Sequence, residues 1–282
     1  MKTQILLLAA TTLTVTAQAA DVDTNWQSRA IAPVVNPIFF ETALIQSEVR
    51  PLFAYHNFDK DFLGADVNAQ VYAVQLRYAV NDRLAIIATK DGYMTLNGDV
   101  DQEGWNDISA GVKYAIYKND EKQLIITPGL TFDIPIGDDE VFQGNGDGEF
   151  NVFVSAIKGW GNLHLSANIG ARIPIDMDEE TSSFRTAFML DYYTCQWFIP
   201  FVTLNTFTTL NDADELPFHE EGFDVVNFGA TSAGGRTQAA AGVGFRTRLH
   251  RNVDFGFAYE YGFLPDDDIF KDRYTVDFIV RF

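Results

Sequence analysis

The chain ends in Tyr274-Thr-Val-Asp-Phe-Ile-Val-Arg-Phe282, where apolar and polar side chains alternate. Tyr274 and Phe282 fall on one face with three other apolar residues, and Asp277 and Arg281 fall on the other. Because successive side chains of a β-strand point to opposite faces, this period of two predicts a strand with an aromatic face and a polar face. Residues 253–261 show the same alternation just before it.

Twelve segments of this kind follow one another along the chain, each bounded by turn residues. Their lengths are close to the roughly 9–11 residues that a tilted strand needs to cross a lipid bilayer. An even number of strands returns the end of the sheet to the side of the membrane where it began. The segments are residues 49–58, 66–80, 84–93, 105–117, 123–134, 149–160, 163–173, 183–193, 198–208, 238–248, 253–261 and 274–282.

The connections between these segments alternate strictly between short and long. Five are tight, and six are longer and acidic, namely residues 59–65, 94–104, 135–148, 174–182, 209–237 and 262–273. An up-and-down transmembrane barrel has short turns at one end and long loops at the other, whereas a soluble sandwich has no reason to sort its connections. Lipid offers no hydrogen-bond partner to an open sheet edge. The pattern therefore predicts an all-β fold over residues 49–282, a closed antiparallel up-and-down transmembrane β-barrel of twelve strands.

The composition excludes several other classes of protein. The 282 residues are 47% hydrophobic and 14% aromatic, which is too apolar for a disordered chain. The sequence has no uncharged apolar run of the roughly 18 residues that a membrane-spanning helix needs. A net charge of −19 argues against a nucleic-acid partner, because phosphate binding needs clustered Lys and Arg. The single cysteine, Cys195, cannot form an internal disulfide bond.

Residues 1–19 have the layout of a secretory signal peptide, with a positive start, an apolar stretch over residues 5–15 and a small-x-small cleavage signal. Residues 20–48 then precede the first strand and contain Pro33 and Pro37, which exclude a regular strand there. Their apolar side chains would be unfavourably exposed in the periplasm. We therefore expect residues 20–48 to form either a periplasmic leader or a segment that plugs the lumen.

If Phe282 faces lipid, the alternation assigns the polar side chains of most strands to the lumen. The assignment is ambiguous for residues 49–58 and 84–93. Buried charges in a narrow barrel pair with one another, so each one is expected either to stabilise the barrel or to contact a solute. The residues expected to line the pore include Arg77, Lys113, Asp133, Arg172, Arg185, Asp191, Arg246, Glu260 and Asp277.

The predicted lumen is narrow and mixed in charge. Mixed signs argue against a pore for polyanions, which would need an excess of Arg and Lys inside. Barrels of about eight strands are filled by side chains and those of about sixteen hold wide channels, so twelve strands predict a narrow conduit. Small inward-pointing residues are expected to leave open space there, among them Gly111, Gly129, Gly170, Gly242, Gly244 and Gly256.

No catalytic residue, cofactor or metal site is predicted. The sequence has no phosphate-binding loop, dinucleotide fingerprint or zinc motif. His56-Asn57 comes nearest to the Ser, His and Asn cluster of an outer-membrane phospholipase, but no serine stands in the required context. The stretch Gln143-Gly-Asn-Gly-Asp-Gly-Glu149 lacks the spacing of a calcium-binding helical loop. The acidic loops are expected to attract cations only through their general field.

Two resemblances add to this interpretation. The alternation that ends in Phe282 resembles the terminal pattern by which the barrel-assembly machinery recognises outer-membrane barrels. Trp105-Asn-Asp-Ile-Ser-Ala-Gly-Val-Lys-Tyr114, the Pro-Gly and Ile-Pro-Ile-Gly elements within residues 124–137, and the strand pair 150–173 resemble the MetA-like outer-membrane channels associated with phenol-type aromatic degradation. The second resemblance implies passage of small, aromatic or apolar compounds across the outer membrane.

The sequence thus predicts a non-enzymatic channel in the cell outer membrane that passes small solutes by passive diffusion. Its expected partners are outer-membrane lipid, the barrel-assembly machinery and a small-molecule solute. Two alternatives remain open. One is a structural or adhesive barrel that conducts nothing, and the other is a membrane lipase or protease that uses His56.

Overall fold

In a computed structural model of the protein, the described residues are 25–59, 64–264 and 269–282. The predicted signal peptide, residues 1–19, lies outside them. The segment before the first strand contains one short 3₁₀ turn, Trp26–Ser28, and a second such turn, Asp139–Val141, lies in a loop. None of the described helical elements is long and apolar enough to cross a membrane.

Within the described residues, twelve antiparallel strands pair in chain order, and the last also pairs with the first. The pairs Glu48 with Arg281 and Tyr55 with Tyr274 close the sheet into a barrel. This confirms the predicted closed antiparallel barrel of twelve strands. The strands are β1 (Glu48–Phe58), β2 (Val67–Ala79), β3 (Leu84–Lys90 and Tyr93–Gly98), β4 (Gln102–Trp105 and Ile108–Tyr114), β5 (Leu124–Ile134), β6 (Glu149–Trp160), β7 (Leu163–Pro174), β8 (Ser183–Tyr192), β9 (Ile199–Thr209), β10 (Thr237–His250), β11 (Val253–Gly262) and β12 (Phe270–Arg281).

Strands β3 and β4 are each interrupted, and this interruption corrects one predicted loop. Both halves of β3 pair with β2, and the halves of β4 pair with the halves of β3. The predicted long connection over residues 94–104 is therefore wrong, because only residues 99–101 connect the two strands. Gly92, at the break in β3, has φ +109°, and a side chain there would meet the carbonyl oxygen of Tyr72. This break interrupts the alternation and has the sequence pattern of a turn.

The final strand also begins earlier than predicted. It starts at Phe270 rather than at Tyr274 and pairs over its length with β1 and β11. The charged run Lys271-Asp272-Arg273 has the composition of a loop, yet Arg273 is buried inside the barrel. A three-residue strand, Tyr117–Asn119, adds a short pairing at the start of β5.

The barrel presents apolar side chains outward and polar side chains inward. On β12, Tyr274, Phe278 and Val280 are exposed, whereas Thr275 and Asp277 are buried. The same division continues around the wall, with exposed apolar residues that include Tyr72, Ile86, Val112, Leu130, Val152, Ile169, Phe188, Val202 and Val243. A water-soluble protein rarely exposes so large a contiguous apolar surface, whereas a barrel that spans a bilayer requires one.

Candidate functional site

The interior of the barrel is lined by charged side chains that are almost fully buried. All nine residues predicted to line the pore lie there, with side chains removed from outside solvent. Most of them form ion pairs with other interior residues. The pairs are Asp133 with Lys90 at 3.3 Å, Arg172 with Glu149 at 3.4 Å, Glu260 with Arg273 at 2.8 Å, Asp277 with Arg246 at 2.9 Å, and Arg77 and Lys113 with Glu41 at 2.7 and 2.6 Å. Asp191 is hydrogen-bonded to the ring Nδ1 of His164 at 2.8 Å.

The chain before β1, residues 25–47 and hereafter the N-terminal segment, lies inside this interior. Its residues Val34, Val35 and Phe40 are buried in one cluster with Met189 and Phe201 of the wall. Trp26 at its start donates through the indole Nε1 to Asp120 in the turn before β5, at 3.0 Å. The segment therefore enters at the end of the barrel that carries the short turns.

Two arginines and one aspartate hold the backbone of the N-terminal segment. Arg50 donates to the carbonyl oxygen of Pro33 at 2.7 Å, and Arg246 donates to that of Ala32 at 3.1 Å. Asp277 accepts from both guanidinium groups, at 2.6 Å from Arg50 and 2.9 Å from Arg246. Charge-assisted hydrogen bonds of this kind are the stronger ones in proteins, and the single carboxylate offsets part of the charge of two buried cations that lie side by side.

A second contact lies further along the same segment. The carboxylate of Glu41 accepts from Arg77 at 2.7 Å and from Lys113 at 2.6 Å. Lys113 also donates to the carbonyl oxygens of Thr42 and Leu44, at 2.8 and 2.7 Å. All three donors of this ammonium group are therefore used by the N-terminal segment.

The loop between β9 and β10, residues 210–236, enters the interior from the other end. Its Asp224 lies 2.6 Å from Arg273, and the ring of its Phe223 lies 5.0 Å from that of Phe270. Phe223 shares a buried cluster with Phe39 of the N-terminal segment. The two inserted segments therefore meet inside the barrel.

Among the described residues, the cavity between these segments is small. A lumen cavity lined by His56, Thr89, Asp224 and Arg273, among others, has a volume of about 30 Å³, which is room for a single water molecule. The expectation that inward glycines leave open space is wrong. The ring of Phe153 covers Gly129, and a Cβ atom on Gly256 or Gly242 would lie 2.8 Å from Val34 or 3.2 Å from Val35.

A larger cavity of about 640 Å³ lies in the outer wall at the interruption of β3 and β4. Exposed apolar residues such as Tyr72, Val74, Trp105 and Ile108 form its outer rim. Four residues line both this wall cavity and the lumen cavity, namely Leu52, Ala73, Asp91 and Asn106. The barrel wall is therefore thin at this point.

Sequence reasoning missed several interior residues. Arg50 stands on a strand of ambiguous phase, and Arg273 stands in a stretch predicted to be a loop. Glu41 precedes the first strand, so no alternation assigns it to the lumen. The nine predicted residues hold five basic and four acidic groups, so their charge balance gave no signal that a further carboxylate such as Glu41 was present.

His56 does not resemble a catalytic histidine in its surroundings. Its ring is buried edge-on between Phe58 and Phe270, with centroid separations of 4.6 and 4.7 Å. Among the described residues, no group of three His, Cys, Asp or Glu side chains has the arrangement needed to hold a metal ion.

The chain matches no protein-family model and no curated protein. Solved structures share its fold. The COG4313 outer membrane channel from Pseudomonas putida F1 is 13% identical with a TM-score of 0.60, and the match covers 90% of this chain and 100% of that one. The NanC porin is 10% identical with a TM-score of 0.53, over 84% of this chain and 100% of that one. The beta domain of the Bordetella autotransporter BrkA is 10% identical with a TM-score of 0.51, over 84% and 99%.

The chain is a barrel of the outer-membrane type. At these identities the likeness concerns the fold alone. The physical reason to place the barrel in an outer membrane is its apolar outer face. A closed up-and-down barrel with a lipid-facing belt and a polar interior is the architecture of bacterial outer-membrane proteins.

Proposed function

We propose that the protein is an outer-membrane channel for small solutes whose lumen is closed by the N-terminal segment. The observation that carries the proposal is that Arg50, Arg246 and Lys113 bind backbone carbonyls of this segment inside the barrel. A twelve-stranded barrel has a wider lumen than one of about eight strands, which side chains alone can fill. Here the stretch of chain before β1 occupies that room, and apart from its peptide link to β1 only non-covalent contacts hold it there.

The N-terminal segment has contacts of two kinds. Its hydrogen bonds from charged side chains to backbone carbonyls can exchange for water when the segment shifts. Its apolar cluster of Val34, Val35 and Phe40 with wall residues opposes displacement and so keeps the resting state closed. The predicted pore-lining residues then have two roles. They hold the plug in the closed state, and they line the passage once it has moved.

We further propose that the solute is small and either aromatic or apolar. The resemblance to channels associated with aromatic degradation supports this class. So does the wall cavity of about 640 Å³, whose rim is apolar and which shares residues with the lumen cavity. Mixed charges inside the barrel give no preference for polyanions.

The second candidate is a structural or adhesive barrel that conducts nothing. The small lumen cavity of about 30 Å³ favours it, because this space admits no solute larger than water. The two candidates differ in whether the lumen ever opens, and uptake by intact cells separates them.

Cells that express the full chain would be compared with cells that carry an empty vector, with radiolabelled 4-chlorophenol as the aromatic solute and L-arabinose as the polar control. The channel proposal predicts a severalfold faster initial uptake of 4-chlorophenol at low concentration, with arabinose uptake unchanged. If the expressing cells take up each solute at the same rate as the empty-vector cells, the channel proposal is refuted and the structural barrel is supported.

A further inference from the structure

A second apolar cavity lies at the outer mouth of the barrel. It has a volume of about 180 Å³ and lies between the outer ends of β1, β2 and β3 and four loops. All of its described lining residues are apolar, namely Phe58, Ala65, Val67, Leu96, Val100, Phe142, Phe218, Val226 and Phe228. Phe142, Phe218, Ala65 and Val100 are only half-buried, so the cavity lies close to the outside solvent.

Three of the lining rings form a rigid aromatic wall. The ring of Phe228 packs edge-to-face on those of Phe142 and Phe218, with centroid separations of 5.1 and 5.3 Å. Edge-to-face packing fixes ring orientations, so this part of the cavity is formed before any ligand arrives.

The size of the cavity selects one class of ligand. An apolar cavity of about 150 Å³ stays dry and binds benzene, so about 180 Å³ accommodates one aromatic ring with one or two small substituents. A sugar or an amino acid would lose its hydrogen bonds to water there without replacing them.

The negative charge around the cavity favours neutral ligands over anionic ones. Asp66, Asp99 and Asp101 adjoin the lining residues Ala65 and Val100 in sequence, and all three are exposed. Their field repels anions at low ionic strength, so an aromatic carboxylate is disfavoured relative to a neutral ring.

The cavity also stands directly above the lumen cavity. Phe58 and Val226 line the outer one. His56, two residues before Phe58, and Val225, one residue before Val226, line the inner one. A ligand in the outer cavity is therefore separated from the lumen chiefly by the tip of the inserted β9–β10 loop.

We propose that this outer-mouth cavity is a binding site for a small neutral aromatic molecule before it enters the lumen. The entry role rests on the proposed channel function, whereas the binding itself does not.

Binding would be measured by ¹⁹F NMR with 4-fluorophenol as the probe and 4-fluorobenzoate as the anionic control, on the full chain in lipid nanodiscs with empty nanodiscs as reference. Val100→Trp fills the cavity from a half-exposed turn, and Val80→Trp is the matched control at the opposite end of the barrel, where Val80 is exposed. Filling the site costs binding about as much as overpacking a core, so V100W should weaken 4-fluorophenol binding at least about tenfold.

Saturable binding of 4-fluorophenol that V100W weakens and V80W leaves unchanged, with no binding of 4-fluorobenzoate, would support the site. Binding of equal strength in wild type and V100W, or equal binding of the two probes, would overturn it. The measurement needs no transport. If V100W weakens 4-fluorophenol binding but the barrel never conducts, the channel and the entry role are refuted, and the binding site stands. Conduction with binding that V100W does not change would refute the site alone.

Discussion

The carboxylate of Glu41 lies 2.7 Å from the guanidinium of Arg77, which stands on the barrel wall 36 residues later in the chain. Both side chains are buried, and Lys113 lies 2.6 Å from the other carboxylate oxygen. Removing one member of a buried ion pair is strongly destabilising because the remaining charge keeps no partner. This contact is therefore the point at which a single substitution should loosen the N-terminal segment.

Glu41→Gln is expected to release the N-terminal segment more often. The loss of a buried pair costs about 3–5 kcal/mol, so the released fraction should rise by at least tenfold. Trypsin cleavage after Arg29, followed by N-terminal sequencing of the purified protein in detergent, reports the release. Glu179→Gln, in an exposed loop, is the matched control. Cleavage of E41Q at the wild-type rate would show that this pair does not hold the segment.

Asp277→Asn is expected to destabilise the whole barrel. Asp277 accepts from Arg50 and Arg246, and without its charge two adjacent buried guanidinium groups repel each other. The cost is about 3–5 kcal/mol. The temperature at which the folded form disappears on an SDS gel measures it, with Asp178→Asn in an exposed loop as control. An unchanged transition in D277N would mean that the two arginines have other sufficient partners.

The loop that follows β7 should respond to pH through Glu180. Burial, followed by the negative charge of Glu149, raises the pKa of the Glu180 carboxyl from 4.5 to about 8. The folded protein thus keeps a proton that the unfolded chain releases above about pH 4.5. This residue therefore makes stability fall as the pH rises from about 4.5 to 8, with no further change above that range.

Glu180→Gln removes this contribution. The difference in unfolding temperature between E180Q and wild type should grow between pH 5 and pH 8, whereas Glu179→Gln should follow wild type throughout. A difference that is the same at every pH would contradict the buried, protonated state of Glu180.

The terminal aromatic residue is predicted to act in assembly rather than in the folded barrel. The side chain of Phe282 is 71% exposed at the end of β12, so it contributes little packing. Phe282→Ala should reduce the amount of assembled barrel in cells severalfold and leave refolding in detergent unchanged. Phe188→Ala, an exposed aromatic on β8 outside the terminal pattern, is the control. Normal yields of F282A in the outer membrane would remove the assembly machinery as a partner of this residue.

The wall of the barrel follows from the sequence because each strand repeats one physical pattern. In residues 274–282, the burial of Asp277 and the exposure of Phe278 match the alternation of polar and apolar residues in the sequence. The pattern fails where the backbone departs from a regular strand, as at Gly92, or where a charged run such as Lys271-Asp272-Arg273 belongs to a strand.

The contacts in the interior of the barrel can be predicted from the sequence only in part. The charges on the wall can be assigned by phase, but their partners come from segments without a period. The apolar side chains of the N-terminal segment gave a lumen plug as one of two alternatives, and Val34, Val35 and Phe40 do pack on the wall. The path of the segment could not be predicted, because contacts such as those at Ala32 and Pro33 use backbone carbonyls, which every residue type has.

The most direct test of the account is the single-channel current in a planar lipid bilayer, recorded for the full-length protein and for a variant that lacks residues 25–47. We expect the full-length protein to be closed most of the time, with rare small steps, and the shortened barrel to give large, long-lived open steps. If both proteins insert and both remain silent, or if both give the same steps, the N-terminal segment does not close this lumen.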